Sequence, residues 1–345
     1  MRKVRLGKTE LMVSKTSFGA LPIQRVDMQT AKSILRNAYD AGINFFDTAR
    51  AYTDSEEKLG ETFGGGLRQN IIIASKTMST DRAGAERDIE TTLRNLKTDY
   101  VDIYQMHNLQ AIQDPDDDTT ALYALMQAKK AGKIRHVSFT AHRRDIAEQG
   151  IKSGLFDTLQ FPLSYLSADS DLELVQMCKE HDMGFIAMKA MSGGLCSSAK
   201  AAFAYQQQFD NVVPIYGIQR QEELDEWLFY EQTLPTLDDE LMAVIQKERA
   251  EFAGEFCRAC GYCMPCPVGI QIPTVARLHL LCTRSPYQNY ITDEYYESLK
   301  VVNDCLHCGQ CSSRCPYQMD VPSMIRKQYD KYLAFYEEHK SEVKR

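Results

Sequence analysis

Ile71-Ile72-Ile73-Ala74-Ser75-Lys76 and, one helix-length further on, Val101-Asp102-Ile103-Tyr104-Gln105-Met106-His107 are the stretches whose reading decides the fold. Each is short, largely apolar and closed by a polar residue. Such runs suit parallel strands buried on both sides, because helices cover one face and packed side chains fill the other. Similar runs lie at Asn44 to Thr48, His136 to Thr140, Thr158 to Leu163, Gly184 to Met188 and Val212 to Gly217, and a shorter one near Ser17 to Ala20 makes eight. Between them run apolar stripes at helical spacing: Ile34, Leu35, Ala38 and Tyr39; Ile89, Thr92, Leu93 and Leu96; Leu122, Leu125 and Met126. Eight strand-helix units predict an α/β fold, a closed (β/α)8 TIM barrel over residues 1–235. An open doubly wound sheet is the alternative. The absence of a Gly-x-Gly-x-x-Gly turn after the first strand counts against it.

Arg5 to Ser14, with Gly7 and Lys8 between extended ends, reads as a hairpin able to plug the barrel bottom. Starts such as Asp81, Asp116 to Thr120 and Asp169 to Asp171 suit helix N-termini. A helix is expected from Asp238 to Phe252, leading into a second, mainly helical domain over residues 236–345. Its tail from Pro322 to Arg345 is charged and helical, with Tyr329, Tyr332 and Tyr336 on one face as packing residues.

The 345 residues include 40 Lys+Arg and 47 Asp+Glu, for a net charge of -7, and 44% are hydrophobic. That composition supports a large core. The acidic balance gives no electrostatic reason to bind nucleic acid or an anionic membrane. No apolar stretch approaches the roughly 18 residues of a membrane span. Met1 to Glu10 mixes charges without a secretory apolar run. A soluble, cytoplasmic protein with no nucleic-acid or membrane partner is expected.

Eight of the eleven cysteines crowd into two short clusters within residues 257–315, and none precedes Cys178. This asymmetry favours metal ligation over a disulfide framework. Cys305-x2-Cys308-x2-Cys311-x3-Cys315-Pro316 has the spacing of bacterial iron-sulfur ferredoxins, and Cys257-x2-Cys260-x2-Cys263-x2-Cys266-Pro267 has a last gap shorter by one. Two 4Fe-4S clusters are expected, one on Cys257, Cys260, Cys263 and Cys315, the other on Cys305, Cys308, Cys311 and Cys266. Two zinc sites are the main rival, and a single cluster with loose thiols is a second. Cys178, Cys196 and Cys282 lie outside the pattern.

Four polar residues fall at or just beyond the C-terminal ends of successive strands, where a barrel places its chemistry. They are Asp47 and Tyr52 after the second strand, Lys76 closing the third and His107 closing the fourth. Singly they read as a cap, a packed aromatic, a solvated strand end and a satisfied hydrogen bonder. Together they form a proton-transfer set. A cation such as Lys76 can lower the pKa of Tyr52, Asp47 can hold Lys76 charged, and His107 can orient a carbonyl oxygen.

Phe45-Phe46-Asp47-Thr48-Ala49 with Tyr52, the Ile72 to Lys76 strand, and Asp102-Ile103-Tyr104 through His107-Asn108 resemble the aldo-keto reductase family, in its bacterial branch with a C-terminal ferredoxin-like domain. The resemblance covers residues 3 to about 325. It implies that Asp47, Tyr52, Lys76 and His107 are a catalytic tetrad, with Tyr52 the proton donor and a nicotinamide dinucleotide the cofactor. The family's carboxamide-binding Ser-Asn pair and Gln correspond to Thr140, Ala141 and Gln160, so the Asn donor is missing. Its stacking tyrosine corresponds to Met188. Lys189 and the turn Ser192-Gly193-Gly194 can meet a pyrophosphate. Gly217, Ile218, Gln219 and Arg220 lead into a helix whose N-terminus favours phosphate. Glu222, Glu223 and Asp225 nearby favour NAD(H) over NADP(H).

The leading reading is an NAD(P)H-dependent oxidoreductase that reduces an aldehyde or ketone, or oxidises the alcohol, with Tyr52 as acid and base. One alternative is a cluster-linked redox enzyme exchanging electrons with a ferredoxin-like electron-transfer protein or a flavin partner; no residue pattern marks a flavin site, which a hydride-to-electron hand-off would require. The other is an inactive scaffold braced by iron-sulfur clusters. Arg50 and Arg143, just beyond strands, are candidates to meet an acidic substrate.

Overall fold

The structure, a computed structural model, describes residues 1–252, 256–257, 261–284, 287–315 and 317–342. They divide into two compact units, Met1–Met191 with Ser198–Ile245, and Ser192–Ser197 with Gln246–Arg345.

In the first unit, β1 (Lys3–Arg5) and β2 (Met12–Ser14) pair antiparallel as the hairpin. The strands β3 (Ser17–Gly19), β4 (Phe45–Asp47), β5 (Ile72–Thr77), β6 (Val101–Met106), β7 (Ile134–Thr140), β8 (Thr158–Pro162), β9 (Gly184–Met188) and β10 (Val212–Gly217) close a barrel in the order β10-β3-β4-β5-β6-β7-β8-β9, every pair parallel. The eightfold barrel expected from the sequence is what forms. Between the strands run α1 (Met28–Asp40), α2 (Ser55–Phe63), α3 (Arg82–Asn95), α4 (Ala121–Lys130), α5 (Arg144–Ser153), α6 (Asp169–Glu180) and α7 (Ala199–Gln206), with α8 (Gln221–Thr233) after the last strand and α9 (Asp239–Glu251) beyond it. Asp81 caps α3 by accepting from the Gly84 N-H, and Thr120 caps α4 by accepting from that of Tyr123.

Successive strand residues face opposite sides, so the chemistry of each run sorts into layers. Phe45, Ala74, Ile103, Ile186, Val213 and Ile215 fill the barrel floor together with Leu6 and Val13 of the hairpin. Their alternates Phe46, Ile73 and Tyr104 pack outward against Ile34, Leu59, Phe63 and Ile89 of the helices. Burying each such side chain contributes about 1.5–3 kcal/mol. Two residues beyond the floor on β4, β5 and β6 come Asp47, Lys76 and Gln105, with Lys76 and Gln105 directly paired. Polar groups thus gather at the C-terminal end. Gly7, with φ +54°, closes the other end: a Cβ there would lie 2.3 Å from the Gly184 nitrogen.

The second unit contains α10 (Ile272–Val275), α11 (Leu278–Arg284), α12 (Asp293–Leu299), α13 (Gln310–Ser313) and α14 (Val321–His339). Its core combines Ile270, Ile272, Val275, Leu278 and Ile325 with Tyr329, Tyr332 and Tyr336, so the tail tyrosines pack inward as expected. Tyr332 donates to the Tyr290 carbonyl and Tyr336 to Asp293, each at 2.8 Å.

The iron-sulfur, 4Fe-4S and metal-binding expectations require correction. Among the described residues, no three Cys, His, Asp or Glu side chains come together as a group that could hold a metal ion. A cubane needs thiolates converging on one centre. Here Cys266, Cys305, Cys308 and Cys311 line one mainly apolar cavity and Cys257 and Cys315 another, with Cys263 on both, and none of these sets closes into a ligand shell. Cys308 is exposed, and Cys260 lies outside the described residues.

Candidate active site

Lys76 and Asp47 meet inside the barrel. The Lys76 Nζ donates to Asp47 Oδ2 at 2.7 Å and to the Thr48 carbonyl at 2.6 Å, and both side chains are almost wholly buried. Gln105 Nε2 donates to Asp47 Oδ1 at 3.3 Å and to Gln160 Oε1 at 2.8 Å, which extends the polar layer across the barrel. Tyr52 stands over this pair on the loop between β4 and α2, with Lys76 Nζ 5.0 Å from its ring centre. His107 lies edge-on to Tyr52 with centroids 5.9 Å apart, its backbone N-H held by the Thr77 carbonyl at 2.8 Å. The Tyr52 loop is itself ordered: Arg50 N-H donates to the Lys76 carbonyl at 3.0 Å, Ser55 N-H to that of Tyr52 at 2.8 Å, and the Thr48 and Ser55 hydroxyls bond at 2.8 Å.

The electrostatics follow from burial. Desolvation pushes Asp47 upward and Lys76 downward, toward their neutral forms, while their mutual attraction opposes both shifts. Burial, and then the Asp47 charge, raise the Tyr52 phenol above its ordinary value. This reverses the depression expected from Lys76. Tyr52 is therefore a neutral O-H that can give a proton. Burial first, then the charges of Lys76 and Lys189, lower the His107 imidazole to about 3, so it is neutral at physiological pH. Its buried Nδ1 has no hydrogen-bond partner among the described residues. A neutral acid, a buried cation beside it and a neutral imidazole suit proton delivery to an oxygen gaining charge.

Comparison with known proteins matches the aldo/keto reductase family to residues 15–228, more than half of the chain. This chain belongs to the aldo/keto reductase family. A second region, residues 256–320, is similar to a 4Fe-4S dicluster domain. An uncharacterized oxidoreductase of Bacillus subtilis is 28% identical over 209 residues, 56% of this chain and 66% of that protein. L-galactose dehydrogenase of Arabidopsis thaliana is 30% identical over 214 residues, 55% of this chain and 65% of that protein. The chain thus spans just under two thirds of the length of these relatives. In fold it is similar to an aldo-keto reductase of Bacillus halodurans, with a TM-score of 0.63 at 23% identity over 72% of this chain and 96% of that one.

Within the aldo/keto reductase barrel, the other expected site residues fall as follows. Thr140 and Gln160 are buried, and both are engaged: Thr140 Oγ1 accepts from the Asn108 N-H at 2.7 Å, and Gln160 accepts from Gln105. Met188 and Lys189 are half-buried at the end of β9, Lys189 with a φ of +58°. Ser192 and Gly193 belong to the second unit, where Arg277 donates to the Gly193 carbonyl at 2.5 Å. Gly217 ends β10, and Gln219 and Arg220 open α8. There Glu223 accepts from the Gln219 N-H at 2.8 Å, the Arg220 N-H at 3.2 Å and the Arg220 guanidinium. An internal carboxylate therefore already engages these two N-H groups at the start of α8. Arg50 is paired with Glu56 and Arg143 with Asp145, so neither is poised as expected for an acidic substrate. Sequence reasoning missed Gln105 and Glu56. Gln105 is signalled by its place two residues before His107 on one strand face.

Proposed function

We propose that this chain is a cytoplasmic NAD(P)H-dependent reductase of small aldehydes or ketones, running in reverse as an alcohol dehydrogenase. Residues 1–235 are its catalytic domain and residues 236–345 a second domain. The observation that carries this reading is the buried Lys76 and Asp47 pair beneath the Tyr52 ring, with His107 beside it. When bound, the nicotinamide supplies hydride to the carbonyl carbon. Tyr52 supplies the proton to the oxygen, and Lys76 stabilises the charge left on the phenol. Asp47 keeps Lys76 in place and protonated, and His107 orients the carbonyl oxygen. Thr140, Gln160, Met188, Lys189, Gly217, Gln219 and Arg220 of the first unit are the residues assigned to the cofactor. Membership of the aldo/keto reductase family supports nicotinamide as the hydride source. The Glu223 carboxylate against Arg220 disfavours a further 2'-phosphate charge, which makes NADH the preferred form.

The test follows the hydride. With NADH deuterated at both C4 positions, anaerobic reduction of 4-nitrobenzaldehyde should give an alcohol carrying one deuterium on carbon. With ordinary NADH in D2O, that carbon should carry none. Label entering the carbon from solvent, or no alcohol from aldehydes and ketones of varied size, would end the reading.

A further inference from the structure

Glu56 is a carboxylate with no solvent exposure, placed on α2 behind the barrel wall. Its Oε1 accepts from the Ser75 hydroxyl at 2.6 Å and the Thr92 hydroxyl at 2.8 Å. Its Oε2 accepts from the Arg50 guanidinium and from Asn95 Nδ2 at 3.2 Å. All four donors matter by position. Ser75 adjoins Lys76 on β5, Arg50 lies two residues before Tyr52, and Thr92 and Asn95 belong to α3. Burying a carboxylate this completely is costly unless it is paired and its lone pairs are filled. Here one ion pair and three neutral donors meet that need. Asp88 is the other acid near Arg50, 3.9 Å from its Nε.

We propose that Glu56 is a positioning residue for the reaction, fixing the loop that carries Tyr52 against the strand that carries Lys76 so that phenol and ammonium stay in register. The proposal rests on Tyr52 being the proton donor. A floor residue has no such reach, whereas Glu56 links both carriers through single hydrogen bonds. A carboxylate is needed because each oxygen receives two donors. An amide at this place would set its own N-H groups against two of them. Arg50 is the complementary part, its backbone N-H on the Lys76 carbonyl and its side chain on Glu56.

The test is single-turnover oxidation of NADH by 4-nitrobenzaldehyde, read in Glu56→Gln, Arg50→Met and the double variant, and again for Glu56→Gln in a Tyr52→Phe background. Each single change should slow turnover about tenfold, with the NADH KM held within about twofold. The double variant should be no slower than the worse single, because the two residues act as one unit. In the Tyr52→Phe background Glu56→Gln should cost nothing further, since its effect passes through Tyr52. An equal loss in both backgrounds, or full turnover in a folded Glu56→Gln, would overturn the proposal. Should Glu56→Gln not fold, Ser75→Ala carries the same test, with the same two results overturning it. Equal rates for Tyr52→Phe and the unaltered protein would instead remove the proton-donor reading itself.

Discussion

The barrel mouth and the cysteine-rich region are both dense in chemically able side chains, and among the described residues only the barrel mouth draws them into direct contact. Lys76 and Gln105 are paired across neighbouring parallel strands, and Asp47 on the strand before is paired with Ala74, one strand period short of Lys76, within reach of its ammonium. The strand period of two and the ladder register translate their sequence positions directly into convergence. Cys305 follows a 3-10 turn, Cys308 lies in a loop and Cys311 on the four-residue α13. Nothing of fixed period joins them. Sequence spacing becomes geometry where rigid elements carry it, and remains only spacing where turns do.

The sharpest way to break this comparison is Lys76→Met. It removes the cation beneath Tyr52, and kcat/KM for aldehyde reduction should fall about 10^3-fold. Retained turnover would show that convergence at the mouth has no catalytic consequence. Next is Gly7→Ala, which forces a Cβ into backbone 2.3 Å away. It should cost about 3 kcal/mol in urea unfolding and leave the chemistry of the surviving folded fraction intact. The pH dependence sharpens the electrostatic side. His107 is held at about 3 against an ordinary 6.5, so between those values the unfolded chain takes up a proton that the folded chain refuses. Stability should rise with pH across that window, and His107→Gln should flatten the rise. Glu223→Gln releases Arg220 and should shift the NADPH to NADH ratio of kcat/KM about tenfold toward NADPH. At the small end, Cys308→Ser on an exposed loop thiol should leave turnover unchanged and stability within about 0.5 kcal/mol.

Much of the barrel is legible in the sequence because each strand is a short apolar run with polar residues at one end. The runs at Asn44 to Thr48 and Val101 to His107 contain β4 and β6 with only their ends trimmed. The convergence of Asp47, Tyr52, Lys76 and His107 is legible for the same reason, since strand ends announce the barrel mouth. Glu56 and Lys58 are not, because charged residues on a helix read as solvated while these are buried against the wall and the Ile23 to Val26 turn. The Glu223 cap is hidden similarly: three nearby acids look like a surface patch, and only the backbone path turns one of them onto the Gln219 and Arg220 donors. The Tyr52 pKa is misread because proximity to a cation is visible in sequence and the cost of burial is not.

The account stands most directly on Tyr52 as the acid. Turnover of 4-nitrobenzaldehyde with NADH under anaerobic conditions should fall about 10^3-fold in Tyr52→Phe while NADH binding, followed by its fluorescence, is retained. Equal turnover by the two proteins would contradict it.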